Sequence, residues 1–122
     1  MTAAGIIVGL HLATAHVGGA GLESVTPGVY VRMPSGITAG AYRNSHGHGS
    51  AYLGMTWTTS DGRWSITAGG VTGYPRAKVS PLVIPSLRMP VASTPWAVRL
   101  SYLPKPHSDG AQGVHLSLER AL

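Results

Sequence analysis

A chain of 122 residues with 43% apolar content has room for one modest core, which excludes a second domain. It contains no cysteine, which excludes disulfides and thiolate metal sites and leaves the redox compartment open. Nine basic against four acidic residues give a formal net charge of +5, which favours anionic partners. The basic residues are scattered, so specific nucleic-acid binding through a basic run is excluded.

Seventeen glycines and nine prolines speak for many turns and little or no helix, hence an all-β chain. The first ten residues have no basic segment, and their apolar run is broken by Gly5 and Gly9. That stretch reads neither as a signal peptide nor as a membrane span, and the chain as written is expected in the cytoplasm. An outer-membrane location is the alternative if Met1 replaces a native signal.

The first predicted strand runs over about 6–16, with Ile6, Val8, Leu10 and Leu12 on one face and His11 on the other. Residues 17–26 are glycine-rich and read as a loop. Gly28 to Met33 alternates Val29, Val31 and Met33 with Tyr30 and Arg32, and Pro34-Ser35-Gly36 turns the chain back into Ile37 to Arg43. A second hairpin sets Ala51, Leu53, Met55 and Trp57 against Tyr52, Gly54, Thr56 and Thr58, and closes at Ser60-Asp61-Gly62. Trp64 to Gly73 continues the pattern with Ser65 and Thr67 on the polar side. Val79 to Met89 is apolar but carries Pro81 and Pro85, so it is expected to be an interrupted or edge strand. Trp96 to Leu103 sets Val98, Leu100 and Tyr102 against Arg99 and Ser101. Gly113 to Arg120 sets Val114, Leu116 and Leu118 against His115, Ser117 and Glu119. The sum is an antiparallel eight-stranded up-and-down β-barrel, or a barrel-like sandwich, as a single domain over 1–122.

Between the strands ending at Tyr42 and beginning near Tyr52 lies the stretch richest in reactive side chains: Arg43, Asn44, Ser45, His46 and His48. Loops held by a rigid sheet are where function tends to be placed. With Arg76 and Lys78 these residues make a basic rim suited to an anion, the alternative being a solvated basic surface. Asn44 and Ser45 read equally as turn formers. His46 and His48 alternate across one glycine but lack a third ligand, so no metal site and no cofactor is assigned.

The chain resembles the lipid A palmitoyltransferases, eight-stranded barrels of the bacterial outer membrane. The resemblance rests on Thr14-Ala15-His16, on Gly40-Ala41-Tyr42 leading to Arg43-Asn44-Ser45, on Trp64 to Gly73, on Pro81-Leu82-Val83-Ile84-Pro85 and on Ser101-Tyr102-Leu103-Pro104. It implies a catalytic pair at His16 and Ser45, with Asn44 where the family has an aspartate. It also implies gaps in the barrel wall near Pro81, Pro85 and Pro104 through which a ligand passes. The chain also looks like small proteins of phage genomes.

Alternation does not say which face is inside, because a soluble and a membrane barrel are inverse packings of one pattern. Arg32, Arg99 and Glu119 need nothing if they face water but must be paired or hydrated in a lumen. With no phenylalanine and alternating runs nearer seven residues than nine to eleven, the expectation is a soluble barrel with an apolar interior. Ala39, Ala41, Ala68 and Gly70 would be the small inward residues that leave a ligand cavity.

The functional expectation is a barrel that binds or sequesters an anionic or amphipathic small molecule, such as a nucleotide signal in a phage–host conflict. Its ligand would be held by His16, Arg43, Asn44, Ser45, His46 and His48, with Arg76 and Lys78. The alternatives are an outer-membrane acyltransferase using His16 and Ser45, and a structural module that forms homo-oligomers through its proline-interrupted edge.

Overall fold

The computed structural model describes residues 5–17, 25–43, 48–73, 78–103 and 112–122. Eight strands follow in order: β1 (Ile7–Val17), β2 (Val25–Arg32), β3 (Ile37–Arg43), β4 (Gly49–Thr58), β5 (Trp64–Val71), β6 (Ser80–Pro90), β7 (Trp96–Leu103) and β8 (Gln112–Ala121). Each pairs antiparallel with its sequence neighbours, and β1 pairs with β8, closing an up-and-down barrel. Closure leaves no edge strand for a second chain to extend, so the expected assembly through a proline-protected edge loses its basis.

One end of the barrel carries the short turns 33–36, 59–63 and 91–95, together with the start of β1 and the end of β8. The other carries the connections 18–24, 44–48, 72–79 and 104–111. These are called the turn end and the loop end below. At the first turn, Gly36 sits at φ 100°, where a Cβ would lie 2.6 Å from the Thr56 carbonyl oxygen; only glycine fits both demands.

β1 and β6 have the eleven residues expected of them, whereas β4 and β8 reach 10 residues and outrun the alternating stretches Ala51 to Thr58 and Gly113 to Arg120. In β1 a bulge between His11 and Ala13 shifts the phase, so His11 and Thr14 both face inward and the strict period breaks. In β6 the expectation of an edge or interrupted strand fails, because β6 pairs with β5 from Trp64↔Leu87 to Val71↔Ser80. Arg88 N donates to Arg63 O on the β5 side. Ladder alternation then turns the odd-numbered N–H positions of β6 toward β7, and Pro81 and Pro85 are among them. The β6–β7 register accordingly runs only from Pro90↔Ala97 to Ser86↔Ser101, although Pro85 and Tyr102 follow directly.

The interior is polar, which overturns the expected apolar core. Thr14, Thr26, Thr38, Ser50, Thr56, Ser65, Ser86, Arg99, Ser101, His115, Ser117 and Glu119 are buried, whereas Leu10, Val29, Leu53, Val83, Val114 and Leu116 are exposed. Ala39, Ala41, Ala68 and Gly70 share register rows with Val29, Leu53 and Val83 and so lie on the outer wall, not around a cavity. Among the described residues, the charged groups of the outer surface sit in turns or at strand ends: Arg43, Asp61, Arg63, Lys78 and Arg120. Between them the outer wall is alanine, glycine, valine, isoleucine, leucine, methionine, proline and tryptophan, with one tyrosine, Tyr102, near the end of β7. All three tryptophans cluster at the turn end, with Trp57 58% and Trp64 54% exposed. The Arg120 guanidinium lies 5.7 Å from the Trp96 ring, within cation–π range.

Candidate functional site

The lumen is built by residues that alternate with the outer apolar ones, and it divides into two layers. The layer nearer the turn end is centred on Glu119, which is 1% exposed. Arg99 grips both its carboxylate oxygens, Nε donating to Oε2 at 3.0 Å and Nη2 to Oε1 at 2.8 Å. The Tyr30 hydroxyl donates to Oε2 at 2.6 Å. Arg99 Nη1 donates to Ser65 Oγ at 2.6 Å and Ser86 Oγ at 2.7 Å, so both Nη1 hydrogens are spent on hydroxyls of β5 and β6. A bidentate, hydrogen-bonded pair of this kind is what allows a charge to be buried at all. Two further guanidiniums stand around the same carboxylate at longer range: Arg32 Nη1 at 3.6 Å and Arg88 Nε at 3.5 Å. Arg88 lies directly opposite Arg99 in the β6–β7 register, a like-charge pair that Glu119 offsets.

Nearer the loop end the lumen is neutral in composition. His11 Nδ1 and His115 Nε2 share a hydrogen bond of 2.8 Å, His11 Nε2 and the Tyr52 hydroxyl another of 2.8 Å, and His115 Nδ1 and Thr14 Oγ1 a third of 2.8 Å. Thr14 and Thr26 continue the chain at 3.0 Å. The two imidazoles meet through a single proton, so they cannot both be protonated in this geometry. The His11 ring packs against Tyr30, Tyr42, Tyr52 and His115 at centroid distances of 4.8 to 5.7 Å. Glycines make room for the phenols: Gly9 lies beneath the Tyr30 ring, and a Cβ on Gly40 would come within 2.6 Å of the Tyr52 oxygen.

Between the layers is a cavity of about 90 Å³. Its wall includes Arg32, Arg99, Tyr42, Tyr52, Thr67 and Ser101. Hydroxyl, imidazole and guanidinium groups share this small space with Leu82 and Ile84, so a ligand can be oriented by several donors while part of its surface meets apolar side chains. Among the described residues no group of three or more histidine, cysteine, aspartate or glutamate side chains is arranged to hold a metal.

The residues singled out in the sequence fall elsewhere. His16 is in β1 opposite Gly113 near the loop end, and only its backbone is described. Arg43 is exposed at the end of β3 opposite Gly49, and His48 and Lys78 are exposed just before β4 and β6. Asn44, Ser45, His46 and Arg76 lie outside the described residues. Topology brings the ends of β1 and β3 and the start of β6 to one rim, which keeps the expected grouping at the level of strand ends. The lumen residues were not selected from sequence. Their signal was nonetheless present: His11, Tyr30, Arg32, Arg99, His115 and Glu119 all hold the position alternate to the apolar run of their strand.

Comparison with known proteins returns no match among family models, curated proteins or solved structures.

Proposed function

We propose that this chain is a membrane-embedded β-barrel of the bacterial outer-membrane kind, and that its polar lumen holds a small polar or anionic molecule rather than conducting ions. The observation that carries the reading is the inversion of the two faces, with hydrogen-bonded polar groups inside and an uncharged apolar wall outside. Water does not stabilise such a wall, and an exposed apolar surface of this extent on a soluble monomer is rare. A bilayer solvates it, and the tryptophans at the turn end match the interfacial anchoring that membrane barrels use. Closed backbone ladders meet the demand that a spanning segment satisfy its own N–H and C=O groups. Binding rather than conduction is supported by the Glu119 layer, whose side chains fill the lumen near the turn end.

The test is folding in two media. Protein refolded with phospholipid vesicles should gain strand circular dichroism, protease resistance and heat-dependent gel mobility, and should aggregate in plain buffer. A monodisperse, strand-rich species in detergent-free buffer would overturn the reading and return the soluble sequestering barrel to first place.

A second reading, acyl transfer by His16 and Ser45, draws support from the shortened β6–β7 ladder, where Pro81 and Pro85 withhold donors from the seam. It predicts acyl transfer to a glycolipid acceptor by vesicle-folded protein, abolished in Ser45→Ala. Folded protein without turnover would dismiss it.

A further inference from the structure

The lumen carries more positive charge than it neutralises. Among the described residues Arg32, Arg88 and Arg99 face one carboxylate, Glu119, a formal surplus of two positive charges in this set. The arginines are not equivalent. Arg99 spends its donors on Glu119, Ser65 and Ser86. Arg88 is 30% exposed toward the turn end, where solvent can screen it. Arg32 is 11% exposed, approaches Glu119 no closer than 3.6 Å, and stacks its guanidinium 5.8 Å from the Tyr30 ring. Its Nε is buried with no hydrogen-bond partner. A buried charged donor left in this state costs free energy that a ligand would recover.

Arg32 also lines the cavity between the two lumen layers, beside Thr38, Thr67, Tyr42 and Tyr52. By the measure of ~10–15 Å³ for one water, about 90 Å³ takes several waters, or a tetrahedral oxoanion whose oxygens occupy the same places. Guanidinium is the side chain best matched to such an ion, since its fork meets two oxygens at once.

We propose that this cavity is a binding site for a phosphate-type oxoanion, with Arg32 as its principal ligand and the surrounding hydroxyls as further donors. The ion is either free phosphate or the phosphate of a lipid headgroup. The site is distinct from the basic rim at the loop end, which Arg43 and Lys78 represent. The proposal deepens the reading of the lumen as a binding chamber, but it does not depend on the membrane, because the cavity is the same in any medium in which the barrel folds.

The test is thermal unfolding of the folded chain, in vesicles, micelles or buffer, whichever supports it, titrated with inorganic phosphate while sodium chloride holds the ionic strength constant. A parallel titration replaces zwitterionic by anionic phospholipid in phosphate-free buffer. A site of this kind raises the unfolding midpoint saturably. Sulfate should compete and chloride should not. Arg32→Met should weaken the apparent affinity at least tenfold while Arg63→Gln, at an exposed turn position, leaves it within twofold. If Arg32→Met does not fold, Arg32→Lys keeps the charge, loses the fork and should still weaken phosphate severalfold. A response to phosphate alone identifies the free ion, and a response to the anionic lipid alone identifies the headgroup. Either result, with its dependence on Arg32, supports the site. No saturable shift with either, or a shift that persists unchanged in the Arg32 variants, overturns it. Failure of the vesicle-folding test leaves this titration intact, so the two readings fail separately.

Discussion

Along β8, Leu116 and Leu118 face out of the barrel while Ser117 and Glu119 face in, and the two walls are held by different forces. The inner wall is stabilised by specific pairing: remove one partner and another is stranded. The outer wall has no partner inside the molecule, so its contribution depends on the medium around it. Within the inner wall the same contrast recurs on a smaller scale. The Glu119 layer is held by charge, the His11–His115 layer by neutral hydrogen bonds, and the cavity lies where one gives way to the other.

The sharpest way to break the inner wall is Glu119→Gln. It leaves three guanidiniums facing one another, with Tyr30 donating to a neutral amide at best. Loss of one partner from a buried pair costs about 3–5 kcal/mol, read as a lower denaturation midpoint of the vesicle-folded protein. Glu119→Gln with Arg99→Met should recover part of that loss, since the stranded charge is removed with its partner. If the single variant is neutral, the charged layer is not what holds the lumen.

The outer wall is tested by Leu53→Arg, which places a charge midway along β4 on the face where Leu53 is 62% exposed. In a bilayer this should cost about 2–4 kcal/mol. In water the same change is near neutral, so its size separates the two media.

His11→Phe fills the space but deprives Tyr52 and His115 of a partner each. The expected loss is about 1–3 kcal/mol, smaller than for Glu119→Gln because no charge is stranded. Equal losses for the two variants would erase the distinction between the layers.

The smallest effect belongs to the turn before Trp64. A hydrogen bond from the Thr59 hydroxyl, then one from Arg63 N, hold the Asp61 carboxyl below its usual range. Its folded form therefore binds a proton less readily than its unfolded form. The turn's contribution is complete above the ordinary carboxylate range and is lost as the pH falls through the depressed value. Between about pH 5 and pH 3 the wild type should lose slightly more stability than Asp61→Asn, which has no carboxyl to protonate.

Much of the fold was legible. Period-two alternation and the turn residues gave eight strands, the hairpin order and the correct division of residues between faces in β2, β7 and β8. The direction of those faces was not legible, because alternation is unchanged when a barrel is turned inside out. What decides it is whether Arg32, Arg99 and Glu119 meet, and that depends on register across the closure. Tyr30 and Glu119 are 89 positions apart, and no local pattern joins them. The inward turn of Thr14 in β1 was hidden by its bulge, and the internal place of β6 by prolines whose missing donors face one neighbour only. Three tryptophans beside turns that share one end were legible as a pattern, whereas the expectation of a soluble barrel rests on the absence of phenylalanine. The rim residues were chosen for reactivity in a loop, while the lumen residues, spread over all eight strands, had no motif to unite them.

The central claim, that the apolar wall faces lipid, is tested most directly by quenching of tryptophan fluorescence with phospholipids brominated at defined acyl depths. Trp57, Trp64 and Trp96 should all be quenched, and most strongly by bromines close to the headgroup, because all three sit at the turn end. Single-tryptophan variants should give the same depth. Emission untouched by any brominated lipid but quenched freely by aqueous iodide would contradict the account.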